Sequence, residues 1–152
     1  MAPANLGVLL DSGVVIEAER QRLNVARFLK HISTRIGERE AARCSITVAE
    51  LAHGVHRAET PERRQVRRAF LDDLKSTVPI YPITGEPGKL VGKINAESSP
   101  RGITIPFDDL LIGASALERG YAIAIRNPRH FQWIPGLNVI ALQPPPPFPS
   151  AP

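Results

Sequence analysis

Residues 107–125 read FDDLLIGASALERGYAIAI, a helical pattern followed at once by an apolar run. Phe107–Arg119 is the most strongly helical segment of the chain, and Gly120 stands just past its end, where a left-handed C-cap is common. Tyr121–Ile125 is then an apolar strand. Where such helices and strands alternate along a chain, they predict an α/β fold with a mostly parallel sheet.

Short apolar runs and amphipathic runs alternate along the rest of the chain. The predicted strands, besides the one above, are Leu6–Leu10, Ala41–Cys44, Val78–Pro82 and Leu137–Ala141. Helical patterns cover residues 23–36, 47–57, 61 onward and 84–98, and Thr60 with Pro61 forms a helix start. The prolines in Val78–Pro82 predict a short or edge strand. Sites in such sheets lie at the carboxyl ends of the strands, so residues just after each apolar run are the candidates.

The composition is that of one globular domain. The chain has 152 residues, of which 43% are hydrophobic and 22% charged, with a formal net charge of +4. A single cysteine, Cys44, allows no internal disulfide or thiolate metal cage and favours a reducing compartment. No run approaches a membrane span, and residues 1–13 lack the pattern of a signal peptide. Membrane, secreted and zinc-ribbon classes are therefore excluded, and a cytoplasmic protein is expected.

Proline divides the chain into two parts. Six of the 15 prolines lie in Gln143–Pro152, which includes four in succession. Such a segment joins neither a helix nor a central strand. We expect residues 1–142 to form the domain and residues 143–152 to be an extended, disordered tail.

Four acidic residues lie where strands end or helices begin. Asp11 follows the first strand, Glu50 lies three residues after Thr47, and Asp108 and Asp109 occupy the first turn of the 107–119 helix. Each has a structural interpretation: Asp11 as a helix cap, Glu50 as part of a capping box with Thr47, and the aspartates as partners of the helix dipole. Taken together, they bring several carboxylates to one edge of the sheet.

Clustered carboxylates need protons or a cation. Two of them about 4 Å apart repel by roughly 4 kcal/mol at an effective dielectric of 20. Oxygen ligands without cysteine favour a hard ion, Mg²⁺ or Mn²⁺, which polarises phosphate oxygens and activates water. Acids, a divalent ion and a mildly basic exterior together predict phosphodiester hydrolysis.

Three segments carry a family resemblance: LLDSGVVIEAER, SITVAELAHGV and GITIPFDDLLIGASALERGYAIAIRNPRHFQWIPGLNVI. In this order they resemble the motifs of PIN-domain ribonucleases, above all the VapC-type toxins of bacterial toxin–antitoxin pairs, from about Val8 to Ile140. The resemblance implies a three-layer α/β/α sandwich over residues 1–142 and an Mg²⁺- or Mn²⁺-dependent endoribonuclease that acts as a toxin. It also implies a cognate VapB-type antitoxin, an RNA substrate, a homodimer and a bacterial cytoplasmic location.

The resemblance also assigns roles to residues. It implies that Asp11, Glu50 and Asp109 are the catalytic and metal-binding acids, and that the supporting residues are Ser12, Asn127 and Asp108. The chain departs from the family pattern at Ile125, where a hydroxyl residue is usual, and at His130, where some members carry an acid. These departures keep open an alternative, a catalytically weakened PIN module that serves as an RNA-binding or protein-interaction scaffold.

Several further side chains are candidates for contact with RNA. Arg126 and Arg129 flank Asn127 and are candidate phosphate contacts, and His130 is a candidate proton donor or surface residue. A second group is either an RNA-binding surface or a solvated helix face: Arg57, Arg63, Arg64, Arg67 and Arg68. We expect Trp133 to pack under the last loop rather than to stack on a base. A phosphoacceptor receiver-like domain also gathers aspartates, but the segments TVPIYPIT and YAIAIRN lack the lysine that it needs.

Overall fold

The computed structural model describes residues 5–142, which form a five-stranded parallel sheet in the order β3-β2-β1-β4-β5. The strands are β1 (Gly7–Leu10), β2 (Glu40–Cys44), β3 (Ile80–Tyr81), β4 (Ala122–Ile125) and β5 (Val139–Ala141). The order reverses between β1 and β4, which makes the carboxyl end of β1 a topological switch point. The proline-rich residues 143–152 lie outside the described part of the chain.

Six helices cover the sheet: α1 (Ser12–Arg20), α2 (Val25–Ile36), α3 (Ser45–His56), α4 (Pro61–Thr77), α5 (Gly85–Ser98) and α6 (Phe107–Arg119). Side chains of α1, α2 and α4 pack in one core cluster with β1, whereas α5 and α6 pack in another with β4. The predicted three-layer α/β/α sandwich is therefore confirmed. Helix α3 contacts α1, α4 and α6.

The central strands are buried on both faces. In β1, Val8 and Leu10 belong to the cluster under α1 and α2, whereas Leu9 faces Ala116 of α6. In β4 the same alternation places Ile123 and Ile125 under α5 and α6. Burial on both faces explains why these strands are continuous apolar runs in the sequence.

Two helix boundaries lie where the sequence predicts them, because the residues that cap each helix are its neighbours in the sequence. The Thr60 hydroxyl accepts a hydrogen bond from the Arg63 amide at 3.1 Å, with Pro61 as the first residue of α4. Helix α6 has the predicted bounds, and Gly120 closes it at a φ of 71°. Strand β3 is a short edge strand, as its flanking prolines predicted.

The predicted start of α3 is wrong. The helix begins at Ser45, not at Thr47, and the buried Thr47 hydroxyl donates to the Leu10 carbonyl at 3.3 Å. Thr47 is therefore not an N-cap, and Glu50 takes no part in a capping box. The hydroxyl that resembled a cap instead ties α3 to the end of β1. No helix between residues 5 and 142 combines the length and the apolar character that crossing a membrane requires.

Candidate active site

Asp11 lies at the carboxyl end of β1 and caps α1. Its Oδ2 atom accepts a hydrogen bond from the Gly13 amide at 3.3 Å. Burial raises the pKa of Asp11, the Gly13 N–H opposes this shift, and the charge of Asp109 adds to it. Asp11 can therefore both cap α1 and belong to an acidic site, because the carboxylate that accepts from Gly13 also interacts with the charge of Asp109.

Glu50 projects from α3 toward Asp11. Its Oε1 atom is buried and has no hydrogen-bond partner within the described residues, while Ser12 makes a hydrogen bond to the carboxyl group. Burial raises the pKa of Glu50 to about 7, and the charges of Asp11, Asp108 and Asp109 contribute to the same shift. The negative charge of a buried, unpaired carboxylate oxygen beside other acids is unfavourable, and a bound cation or a proton removes this cost.

Asp109 reaches the same region from the first turn of α6. Its Oδ2 atom lies 2.8 Å from Nδ1 of His130, which follows β4. Asp108 is exposed, and its charge still acts on Glu50. His130, a departure from the family pattern, therefore contacts an acid of the site and is not an isolated surface residue.

The donor chemistry of this group suits a hard divalent cation. It offers carboxylate oxygens from three elements, and one of them, Glu50 Oε1, is buried without a partner in the described structure. Nevertheless, no three His, Cys, Asp or Glu side chains among residues 5–142 lie close enough together to hold a metal ion. Mutual repulsion opposes closer approach of carboxylates that share no cation. The acids thus influence one another electrostatically but do not form a closed ligand set.

The loop after β4 is organised by its own contacts. Asn127 Oδ1 accepts a hydrogen bond from the Arg129 amide at 3.1 Å, and Arg126 Nη1 lies 3.1 Å from Glu17 Oε2 on α1. Ile125 is buried in the core under α6. Asn127 therefore shapes the loop that carries Arg129 and His130, and Arg126 links this loop to α1.

The arginines of α4 have a role that the sequence did not reveal. Arg63 Nη2 lies 3.3 Å from Oε1 of the buried Glu19, and Arg67 Nε lies 3.9 Å from the other oxygen of that residue. Arg67 Nη1 also donates to the Gly54 carbonyl at 2.7 Å. These two arginines join α4 to α1 and α3, whereas Arg64 is exposed.

The burial of three further side chains can be compared with what the sequence indicates. Trp133 is 47% exposed, so the expectation that it packs under the last loop is wrong. Arg43 in β2 is only 2% exposed, and its Nε and Nη2 atoms have no hydrogen-bond partner in the part of the chain described. The only available signal was a cationic residue within an apolar run. Cys44 is buried, as expected of an inert core thiol.

The sequence matches one protein family over most of its length. The model of the PIN domain matches residues 8–135. Ribonuclease VapC2 of Haemophilus influenzae is 31% identical over 140 residues, which cover 91% of this chain and 96% of that relative. The chain belongs to the PIN-domain family, among the VapC ribonucleases. Ribonuclease VapC1 of Rickettsia felis is 27% identical to this PIN domain, over 90% of the chain and 97% of the relative.

Solved structures of similar fold include toxin–antitoxin complexes. VapBC2 of Rickettsia felis, bound to a DNA fragment from its promoter, matches this PIN domain with a TM-score of 0.76 at 22% identity, over 90% of this chain and 98% of that one. DNA-bound VapBC of Salmonella typhimurium matches with a TM-score of 0.73 at 25% identity, over the same shares of the two chains. At these identities the likeness describes the fold of the PIN domain.

Proposed function

We propose that this PIN domain is an endoribonuclease that hydrolyses RNA phosphodiester bonds with Mg²⁺ or Mn²⁺, as the toxin of a type II toxin–antitoxin module. The observation that carries the proposal is the buried, unpaired Glu50 Oε1 beside Asp11 and Asp109. Such a group destabilises the fold unless it serves a ligand, because burial and neighbouring negative charge both disfavour its ionised form.

Asp11, Asp109 and Glu50 would hold the ion, with Asp11 and Asp109 as direct ligands. A divalent cation at these oxygens supplies charge stabilisation to the phosphate in the transition state. Asp108, exposed at the rim, adds negative potential that attracts the cation. Asp11 precedes α1 and Asp109 lies in the first turn of α6, so both acids stand at helix starts.

Glu50 is the general base in this scheme. In the metal-free protein, burial and the neighbouring acids raise its pKa to about 7, so the carboxyl group holds a proton more readily than an exposed glutamate does. Glu50 Oε1 would take the proton from the attacking water, while the Ser12 hydroxyl orients the carboxylate through its hydrogen bond. Ser12 is therefore a positioning residue.

The loop after β4 supplies the remaining groups. His130 orients Asp109 through the contact at 2.8 Å, and Asn127 keeps the loop in shape by capping the Arg129 amide. Arg129 and Arg126 would contact RNA phosphates, although Arg126 must share its guanidinium with Glu17. Phosphate contacts of this kind provide affinity that falls with salt and do not read sequence.

The proposal includes a protein partner. The two solved neighbours described above are VapBC complexes, and we assign a cognate VapB-type antitoxin to this chain by similarity. A homodimer and action in the bacterial cytoplasm follow from the same similarity. Expression of the chain alone is expected to stop growth, and co-expression with its cognate antitoxin is expected to restore it.

Cleavage assays test the activity. We expect RNA cleavage that requires Mg²⁺ or Mn²⁺, stops with EDTA, and falls about 100-fold or more in Asp109→Asn. Asp72→Asn on α4 is the matched control, because Asp72 is exposed and belongs to a different face of the molecule. Metal-dependent cleavage that Asp109→Asn leaves unchanged would contradict the assignment.

A scaffold function is the second candidate. It is favoured by the finding that no three potential ligand side chains within residues 5–142 converge closely enough to hold a metal ion. In that case the purified chain binds RNA but leaves it intact at millimolar Mg²⁺ and Mn²⁺. Binding without cleavage in both ions would replace the nuclease proposal with this one.

A further inference from the structure

Two aromatic residues in the segments that carry Asp109 and His130 have exposed side chains. Phe107, the first residue of α6, is 64% exposed, and Trp133 is 47% exposed. Between residues 5 and 142, the other exposed large apolar side chains are aliphatic, namely Leu6, Val66 and Ile80. Exposure of two large rings near one site calls for an explanation, since buried area is the main source of their stabilising effect.

Both residues stand within three positions of the Asp109–His130 contact in the sequence. Phe107 begins the helical turn that carries Asp108 and Asp109. The backbone amide of Trp133 donates to the His130 carbonyl at 3.3 Å, and the imidazole of His130 lies 2.8 Å from Asp109. Phe107 and Trp133 therefore belong to the two segments of the chain that the Asp109–His130 contact brings together.

The turn that carries Trp133 is firmly held. Phe131, two residues before it, and Ile134, directly after it, are buried in the core cluster of α6. Contact with the helix is close at Gly113, where an added Cβ would lie 2.5 Å from Ile134 Cδ1. The indole is thus presented on a fixed support, and a ligand that binds it has little ordering cost to meet.

We propose that Trp133 and Phe107 stack on nucleobases of single-stranded RNA and thereby hold the strand over Asp109. The proposal rests on the proposed function, because it takes RNA as the substrate. Aromatic rings stack on any base, whereas nearby cations hold the backbone, and proteins that bind single strands combine the two. Arg129 is exposed on the same loop and has no ion pair within the described residues, which favours a polyanion over an apolar peptide as the occupant.

Trp133 is the single tryptophan of the chain, so its intrinsic fluorescence reports on this site alone. We would titrate the full chain in EDTA with a short single-stranded oligoribonucleotide and with an abasic oligonucleotide of the same length. Both carry the same phosphates, and only the first can stack. Quenching by the first and none by the abasic strand is expected, and equal quenching by both would overturn the proposal.

Variants extend the test to affinity. Trp133→Leu and Phe107→Leu are each expected to weaken binding of the base-containing strand about tenfold, with unchanged binding of the abasic strand. Trp133→Tyr should keep most of the affinity, and Val66→Ala on α4 is the control for loss of an exposed apolar side chain. The exposed positions make misfolding a minor concern, and the melting temperature of each variant checks it.

The outcomes separate this proposal from the nuclease proposal. Quenching and tight binding by a chain that never cuts RNA support base stacking and contradict the nuclease. Cleavage by Trp133→Leu with unaltered affinity for RNA overturns base stacking and leaves the nuclease intact. If Trp133→Leu and Phe107→Leu bind RNA normally and lose affinity for the antitoxin, the rings belong to a protein interface and the proposal is wrong.

Discussion

Nδ1 of His130 lies 2.8 Å from Oδ2 of Asp109, although 21 positions separate the two residues in the chain. The contact engages one carboxylate oxygen and fixes the direction of the other, Oδ1. It also connects the loop after β4 to the first turn of α6, so that loop and helix act as one unit at the rim of the acids. His130 thus takes a part that neither its charge nor its neighbours in sequence suggested.

Removal of this imidazole is expected to weaken metal binding. In His130→Ala, Asp109 loses its orienting partner, and the Mg²⁺ concentration for half-maximal cleavage should rise about tenfold. His130→Asn keeps a polar partner for Asp109, so its Mg²⁺ midpoint should lie between those of the parent protein and His130→Ala. His56→Ala on α3 provides the control, and an unchanged Mg²⁺ midpoint in His130→Ala would show that Asp109 is oriented without the imidazole.

Glu50 is expected to make the metal-free protein less stable as pH rises. Its pKa is raised from 4.5 in the unfolded chain to about 7 in the fold. The unfolded state therefore loses its proton first, and the stability present below pH 4.5 is lost as pH approaches and passes 7. Thermal unfolding in EDTA at pH 5 and pH 8 measures this loss.

Glu50→Gln should reduce that pH dependence and raise the stability of the metal-free protein at pH 8, while the raised pKa of Asp11 keeps part of the dependence in place. The gain should be about 1–2 kcal/mol, after allowance for solvent screening at a half-buried carboxylate. The same change should abolish cleavage and weaken the stabilisation by Mg²⁺, since Asp11 and Asp109 remain as ligands. A variant that is less stable than the parent at pH 8 would mean that the carboxylate already has a partner in the fold.

The buried Arg43 is expected to make the fold less stable than an apolar side chain at this position would. Its guanidinium is buried, two of its nitrogen atoms lack partners in the described structure, and burial lowers its pKa. Arg43→Met should therefore raise the free energy of unfolding by about 1–2 kcal/mol. Urea denaturation measures the change, with Arg35→Met on the exposed face of α2 as the control. Destabilisation by Arg43→Met would instead reveal a partner for the guanidinium.

Arg67 and Arg64 separate a structural role from RNA binding on α4. Arg67 donates to the Gly54 carbonyl and lies near Glu19, so Arg67→Ala should lower the free energy of unfolding by about 1–2 kcal/mol. Arg64→Ala should change it by less than about 0.5 kcal/mol. If both variants keep full stability and both reduce the salt dependence of RNA binding, the helix face is an RNA contact after all.

Much of the fold was accessible from local pattern. Helix α6 has the predicted bounds because its apolar spacing and the glycine after it are properties of one short segment. Strand β3 is a short edge strand because proline cannot donate in a ladder. The start of α3 was not accessible, since Thr47 finds its partner in the Leu10 carbonyl, 37 positions away, and not in its own helix.

Apolar period and capping residues therefore specify which elements form and which face of each is buried, and they bring the acids to the strand ends. These local patterns do not specify which side chain of a neighbouring helix or strand each residue contacts. The pairing of His130 with Asp109, the link from Arg67 to Glu19, the buried guanidinium of Arg43 and the exposed indole of Trp133 all depend on such distant neighbours. Those relationships arise when the layers pack, because only then do the charges and rings of remote segments come within a few ångströms of one another.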